Sequence, residues 1–376
     1  MQFTFTEEQE EFRRYLRRFL DAKSPAVEVR RLMETEDGYD PAVWRQLCTD
    51  LGLPAVQIPE TYGGQGFGFV ELGIALEEMG RALLCAPYFA SAVLASNAIL
   101  NAGTEEQKRE LLPPLAAGEV VATLALAEES GRWDSAGIAM TATRTGSGYT
   151  LDGVKSFVLD GHTAGLIVVA ARRAGTVGDA GLSLFTVDAE APGLNRRLLR
   201  SADATRKLAR LEFSGVPAGL LGKEGAAAAP LAKTLDQAAV CLASEMVGGA
   251  EHLRESALEY VQMRMQFGRP IASFQAIKHK SAELLLDVEL AKSAAYYAAQ
   301  AADDDADDLP AVASLAKACA ADAYTRTAIE AVQMHGGIGF TWDNDTHLWF
   351  KRAKSSEVFL GTPAYHRELM MQRWNG

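Results

Sequence analysis

The sequence predicts an α+β protein in which helical terminal regions flank a β-rich middle region. Helical periodicity runs through the first 119 residues and returns after residue 223, whereas short β-rich segments fill the residues between. A chain of 376 residues is also too long for one hydrophobic core. We therefore predict an N-terminal α-helical domain over 1–119, a middle antiparallel β-barrel or sandwich domain over 120–222, and a C-terminal helical-bundle domain over 223–376.

The amino-terminal region is predicted to open with an amphipathic helix. Thr6 precedes a first turn rich in glutamate, which is typical of an N-cap. The longest apolar runs, such as Ala164–Ala171, are far shorter than a membrane span, and no signal-like segment opens the sequence. We expect a cytoplasmic protein that does not enter a membrane.

The middle region is predicted from β-rich runs separated by turn signals. These runs are Val120–Leu126, Gly165–Arg172, Leu182–Asp188 and Leu208–Phe213. The segment Gly222–Pro230 is predicted to be a linker to the last domain.

The last region is predicted to contain three long helices, over about Leu231–Arg264, Phe274–Ala302 and Pro310–His335. Helices of that length suit a bundle with a shared core. No Rossmann glycine fingerprint follows a strand, so nicotinamide binding is disfavoured.

Charge and cysteine content exclude several classes. A net charge of −12 argues against a nucleic-acid surface and means that an anionic cofactor needs local positive groups. The acidic run Asp303–Asp308 is interpreted as a solvated loop rather than a calcium site. The cysteines match no metal or redox spacing, and buried, inert thiols are expected at Cys48, Cys85, Cys241 and Cys319.

The segment Arg264–Gln275, RMQFGRPIASFQ, lies between two predicted long helices. A helix end, an arginine and a nearby phenylalanine are compatible with an anion site. They are equally compatible with a helical hairpin that carries a surface arginine, and composition alone leaves both open.

The whole string, however, resembles the FAD-binding turn of the acyl-CoA dehydrogenase superfamily. Three further segments resemble motifs of that family in the correct order, namely Ile58–Gly66, Gln333–Gly339 and Gly361–Thr362. The resemblance spans essentially the whole chain. It implies a three-domain fold ending in a four-helix bundle, and desaturation of an acyl-CoA thioester by a carboxylate base and a flavin.

The resemblance also implies the cofactor contacts. Arg264 is expected at the FAD pyrophosphate, with Phe267 and Gln275 on the adenine side. A second group is expected to supply a polar contact and close backbone approach, namely Gln333, Gly336 and Gly337. The glycines are also explained by a helix C-cap. In this family these segments reach the flavin of a neighbouring subunit, which implies at least a dimer.

The catalytic base of the family is missing from both of its usual positions. The residue before the Gly-Thr pair is Leu360, and the alternative position in the first long C-terminal helix is Ala238. Glu245 lies two turns beyond Ala238 on the same helix face, so it is a candidate displaced base. An interhelical salt bridge or hydrogen bond is the alternative interpretation of Glu245.

The flavin-facing segments of the middle region depart from the family pattern as well. Glu128 and Asp134 remain from one motif. Phe157 is expected to keep an aromatic flavin contact, whereas Leu159 cannot donate the expected hydrogen bond. Thr362 is retained as a cofactor-contact candidate.

We therefore predict an FAD-dependent partner subunit of an α2β2 acyl-CoA dehydrogenase that works with a second, base-bearing subunit. An electron-transfer flavoprotein is the implied electron acceptor. Two alternatives remain: a self-sufficient flavoenzyme that uses Glu245 and assembles with itself as a homotetramer, and a non-enzymatic CoA-binding scaffold. His335 and His347 are interpreted as structural rather than metal-binding. Lys351 and Arg352 are expected to orient the catalytic loop, meet CoA phosphates or form surface ion pairs.

Overall fold

The computed structural model describes residues 5–146 and 148–374. These residues divide into two compact units. One, the helical unit, comprises 5–31, 68–84 and 239–374. The other, the β unit, comprises 32–67 and 85–238. The division follows spatial contacts, and the domain boundaries at 119 and 222 stay predictions.

The first helix begins as the sequence predicts. The Thr6 hydroxyl accepts a hydrogen bond from the Gln9 backbone N–H at 3.2 Å, and the Gln9 side-chain oxygen accepts one from the Thr6 N–H at 2.9 Å. This reciprocal capping box satisfies two helix-start donors. The helices that precede the strands are α1 Glu7–Lys23, α2 Ala26–Met33, α3 Pro41–Thr49, α4 Phe69–Arg81, α5 Ser96–Ala102 and α6 Glu105–Ala116, with a π-helical segment at Phe89–Ala95.

The later helices are α7 Ala228–Met263, α8 Gln275–Asp303, α9 Leu309–His335, α10 Thr346–Val358 and α11 Pro363–Trp374. The three predicted long helices are confirmed to within three residues at each end. The predicted linker is wrong at its end, because α7 begins at Ala228, where alanines favour helix. Among the described residues, no helix combines the length and apolar character needed to cross a membrane.

Two glycines let α4 and α7 cross with their backbones in contact. A Cβ on Gly80 would overlap the carbonyl of Glu245, and one on Gly248 would overlap the carbonyl of Glu77. This packing fixes α7, which carries two of the candidate base positions, against α4.

The acidic run is not a simple solvated loop. Asp303 is the last residue of α8, and its carboxylate accepts hydrogen bonds from the backbone N–H groups of Phe69 and Val70. It therefore caps the start of α4, where the N-cap residue Gly68 has no side chain to do so. The first position of the predicted loop is a tertiary helix cap.

The β unit contains strands β1 Ala122–Ala125, β2 Thr141–Thr145, β3 Gly148–Leu159, β4 Leu166–Arg173, β5 Leu182–Asp188, β6 Leu194–Leu198 and β7 Leu208–Leu221. The pairings β2–β3–β7–β5–β4–β2 close into a ring, as a barrel requires. The antiparallel prediction is wrong for two pairs, since β4 runs parallel to β1 and to β2. Strand β3 lies between β2 and β4 in the sequence, and a connection of that length allows β2 and β4 to pair in parallel.

Candidate functional site

The predicted FAD-binding turn is a two-residue β-hairpin. Strands β8 Met265–Gln266 and β9 Arg269–Pro270 pair across Phe267 and Gly268, whose φ angles are +53° and +74°. Two positive φ values are typical of the primed turns that close tight hairpins. The Phe267 side chain is 91% exposed, and its ring meets that of Phe274 edge-on with centroids 6.1 Å apart. Arg264, just before the hairpin, is exposed as well.

The second predicted motif lies at the same end of the helical unit. Tyr260, near the end of α7, stacks on His335, the last residue of α9, with ring centroids 4.4 Å apart. Gln333, Gly336 and Gly337 are all exposed there. The structure thus brings together the two segments that the sequence assigned to one cofactor.

The two glycines have different structural reasons. Gly336 caps α9 with φ +66°, which favours glycine, so the C-cap interpretation holds for it. Gly337 has no positive φ, and an added Cβ would meet no atom within 4 Å. The fold of this chain does not require glycine at 337.

Gln275 is the exposed first residue of α8, and its amide hydrogen-bonds with His279 at 2.9 Å. Close by, the Arg269 guanidinium lies 4.0 Å from the centroid of the Phe274 ring. Arginine and aromatic groups therefore cluster beside the hairpin, as recognition of a nucleotide would need.

Large apolar side chains are exposed on the same helical unit. They comprise Met263, Met265, Leu285, Leu286, Leu290, Ile329, Ile338 and Phe340. A set of this size on helices and turns is typical of a surface that is covered by another protein or a ligand.

The turn after α10 has no proton acceptor at its central side chain. Leu360 is 5% exposed and has φ +60°. Thr362 is exposed, and its hydroxyl accepts a 3.3 Å hydrogen bond from the Tyr365 N–H at the start of α11. Thr362 thus has a capping role within this chain.

On α7, the residue at the alternative base position, Ala238, is fully buried. Glu245 forms an ion pair with Arg352 of α10 at 2.8 Å, and the two side chains are only 8% and 6% exposed. The surface ion pair expected of Arg352 is wrong, because this arginine is buried. The contact matches the interhelical interpretation of Glu245.

In the β unit, the retained Glu128 organises the backbone. Its carboxylate accepts hydrogen bonds from the N–H groups of Ala139 and Met140, both at 2.9 Å. It also pairs at 2.8 Å with Lys155, whose Nζ donates to the Leu126 carbonyl as well. Burial lowers the pKa of Lys155 to about 8, and the Glu128 carboxylate opposes that shift.

Phe157 stands out of its strand. The β3–β7 register shifts between Lys155 and Val158, and Phe157 lies in this bulge with φ +58°. Its ring is 41% exposed. A bulky residue held in the left-handed region marks local strain, which concentrates at functional sites. Leu159 is buried, and its carbonyl accepts a hydrogen bond from Thr123.

Both candidate histidines have protein neighbours. His335 shares a 2.7 Å hydrogen bond with the Ala331 carbonyl of its own helix. His347 packs edge-on against Trp342 at 4.7 Å. Within residues 5–146 and 148–374, no group of histidine, cysteine and carboxylate side chains has a metal-binding arrangement.

A cavity of about 370 Å³ also lies in the helical unit, between α1, α4, α7 and α10. Several of its charges are already paired, as in the Arg17–Glu78 contact at 2.7 Å. The residues that line it include none of the predicted cofactor contacts. We assign no ligand to this cavity.

Three family models of known proteins match consecutive segments of the chain. Sequence models of the acyl-CoA dehydrogenase N-terminal, middle and C-terminal domains match residues 6–119, 123–216 and 228–374. The chain belongs to the acyl-CoA dehydrogenase family. The three-domain α+β fold of this family is therefore established for it, with helical first and last domains and a β domain between them.

Individual relatives agree over nearly the full length. The acyl-CoA dehydrogenase IpdE2 of Mycobacterium tuberculosis is 32% identical, over 89% of this chain and 87% of that protein. A solved Tcur3481–Tcur3483 steroid ACAD variant superimposes with a TM-score of 0.88 at 31% identity and covers 98% of each chain. The ChsE4–ChsE5 complex of M. tuberculosis gives 0.90 at 27% identity, over 100% of this chain and 99% of that chain. These relationships support acyl-CoA dehydrogenase activity.

Sequence reasoning missed the buried cations that shape this dehydrogenase. The Arg172 guanidinium donates hydrogen bonds of 2.6–2.7 Å to the carbonyls of Ile138, Ser135 and Gly178. Lys317 is fully buried in α9. A lysine on the buried stripe of an alanine-rich helix, next to Ala313 and Ala320, is a signal that could have found Lys317.

Proposed function

We propose that this chain is an FAD-dependent acyl-CoA dehydrogenase subunit that desaturates acyl-CoA thioesters only with a second, base-bearing subunit. The observation that carries the proposal is a mismatch. The segments that resemble the family's contacts to the FAD of a neighbouring subunit are exposed. Both usual positions of the catalytic base, in contrast, hold aliphatic side chains. An α2β2 heterotetramer resolves this mismatch, because each chain then supplies what the other lacks.

The residues present fit FAD. Arg264 offers an exposed guanidinium for the pyrophosphate, which suits bidentate phosphate binding. At Gly337 the open space in place of a Cβ leaves room for the backbone to approach a ligand. Phe267, Gln275, Gln333 and Gly336 would complete that contact surface, and Phe157 and Thr362 are proposed to meet a flavin ring. When bound, FAD accepts the hydride from the β-carbon of the substrate.

Removal of the α-proton needs a carboxylate that this chain does not place at either usual position. The aliphatic side chains of Leu360 and Ala238 have no lone pair that could accept a proton. Glu245 is held by the buried Arg352 guanidinium, which donates a 2.8 Å hydrogen bond to one of its carboxylate oxygens. We therefore assign the base to the partner subunit.

The solved relatives support a two-chain assembly. Both the Tcur3481–Tcur3483 steroid ACAD and the ChsE4–ChsE5 complex carry the names of two different chains. The exposed apolar residues of the helical unit supply the surface that such an assembly would bury. The acyl group is proposed to be a fatty or steroid side chain, with an electron-transfer flavoprotein as acceptor and the cytoplasm as location.

Expression with and without the candidate partner tests the proposal. The chain is produced alone and together with a dehydrogenase chain that carries a carboxylate at the position matching Leu360. Flavin absorbance and acyl-CoA-dependent flavin bleaching are then measured on the purified material. We expect colour and bleaching only after coexpression, and two chains in equal amounts.

The alternatives give different results. A yellow chain that turns over substrate alone, and loses turnover on Glu245→Gln, would establish the self-sufficient flavoenzyme. A chain that binds CoA esters but never flavin, with any partner, would establish the scaffold. Either result refutes the heteromer.

A further inference from the structure

The turn between α10 and α11 has a backbone that its sequence does not favour. Leu360 and Gly361 follow one another with φ +60° and +112°. A left-handed conformation is unfavourable for a residue with a Cβ, because the Cβ lies too close to the following carbonyl oxygen. The conformation at Leu360 must therefore be imposed by contacts from elsewhere in the helical unit.

Lys317 supplies those contacts. Its Nζ donates to the carbonyls of Ser356 at 3.1 Å, Glu357 at 2.8 Å and Gly361 at 2.5 Å. The first two are among the last carbonyls of α10, and a cation at a helix C-terminus is favourable. The third belongs to the turn itself. The ammonium thus ties the end of α10 to the residue that follows Leu360.

His366 of α11 holds the remaining carbonyl. Its Nε2 lies 3.0 Å from the Leu360 oxygen, and burial lowers the pKa of the imidazole to about 4. The ring is therefore neutral near pH 7, and the carbonyl partner requires the tautomer that carries the proton on Nε2. Two contacts therefore hold the backbone at Leu360: His366 binds the carbonyl of Leu360, and Lys317 binds the carbonyl of Gly361.

We propose that Lys317 is the positioning residue of this turn and fixes residue 360 through main-chain carbonyls alone. Because none of these contacts uses the side chain at 360, the turn keeps its geometry whether that side chain is a leucine or a proton acceptor. The inference goes beyond the proposed function, since it requires neither a partner nor a flavin. It explains how a chain can carry leucine instead of a proton-accepting side chain at 360 while the fold around that residue is kept.

A thiol reporter tests the proposal on the full chain. Leu360→Cys is made in a Cys319→Ser background, because the other three cysteines are buried. The rate of thiol labelling by a disulfide reagent is compared with and without Lys317→Met. We expect labelling at least tenfold faster in the Lys317→Met protein, and Lys317→Arg to restore most of the protection.

A matched control separates this role from the general loss of a buried lysine. Lys207 is also buried and donates to a carbonyl, that of Met33, at 2.8 Å. Lys207→Met should leave the labelling of the thiol at 360 unchanged. Hydrogen exchange should accelerate in residues 356–366 of Lys317→Met but not in the second half of α9, away from the substituted residue.

Three results would overturn the proposal. They are equal labelling with and without Lys317, an equal increase in Lys207→Met, and faster exchange throughout the helical unit. Should Lys317→Met fail to fold, Lys317→Gln keeps two amide donors and replaces it in the same comparison. Unchanged labelling in that variant, with faster labelling in His366→Ala, would assign the role to His366 instead.

Discussion

Arg352→Met is expected to destabilise the protein far more than the loss of an ordinary ion pair. Arg352 and Glu245 are 6% and 8% exposed and lie 2.8 Å apart. Removal of the arginine leaves a buried carboxylate without its cation, which costs about 3–5 kcal/mol in comparable sites. Urea unfolding of the helical unit, followed by tryptophan fluorescence and circular dichroism, measures the loss.

An exposed pair in the same unit provides the control. Arg326 pairs with Asp287 at 2.7 Å and also with Glu283, but its side chain is 48% exposed. Water screens such a pair, so Arg326→Met should cost less than about 1 kcal/mol. The double variant Glu245→Met, Arg352→Met replaces both charges with apolar groups and should regain much of the lost stability.

The same variants separate a structural Glu245 from a catalytic one. If Glu245 serves packing, Glu245→Gln changes turnover of the assembled enzyme only a few-fold, and any loss follows the loss of folded protein. A fall of a thousandfold or more in kcat at unchanged stability would identify a base. A cost below 1 kcal/mol for Arg352→Met would refute the reasoning from burial.

Three further predictions follow from single contacts. Stability should fall as pH drops from 6.5 towards 4, because unfolded His366 takes up a proton that the folded state excludes; urea midpoints should fall less in His366→Asn. Gly337→Ala should unfold within about 0.5 kcal/mol of the wild type but release FAD at least tenfold faster from the assembled enzyme, whereas Gly336→Ala should cost about 1 kcal/mol because its φ is +66°. Gly68→Ala and Asp303→Ala should each cost about 1–2 kcal/mol in thermal unfolding and should not add in the double variant, because a Cβ at 68 would overlap the capping carboxylate.

The sequence predicted long helices well and short strands less well. Helix α8 repeats one apolar stripe over many turns and α9 is buried on most of its faces, so both give long helical signals that agree with the packing. Strand β3 was missed because two register shifts against β7 interrupt its alternation. Strand β2 is largely polar and exposed, so periodicity gave it no signal.

The candidate site was also predicted only in part from the sequence. Motif residues such as Phe267 and Gly337 were predicted from short strings, and the structure shows both to be exposed, while their cofactor contacts stay predictions. The role of Glu245 could not be decided from the sequence, since its partner Arg352 is 107 residues away. The clamp by Lys317 joins positions 39–44 residues apart, which no local pattern reveals.

The contrast between positions 337 and 360 has a physical basis. An added Cβ at Gly337 would meet no atom within 4 Å, so the fold leaves room for a side chain there, and an external ligand or partner would explain a glycine at this position. Leu360 is free to vary for the opposite reason: the backbone around it is fixed by Lys317 and His366, so its side chain is not needed for the turn. A fold built in this way can exchange a proton acceptor for a leucine at little cost in stability. Under the proposed function, the same chain would lose cofactor contacts if a side chain were added at Gly337, where the ligand of a neighbouring subunit is proposed to approach. Selection on a paired subunit should therefore act on the exposed glycine and leave the buried turn free to carry an inert residue.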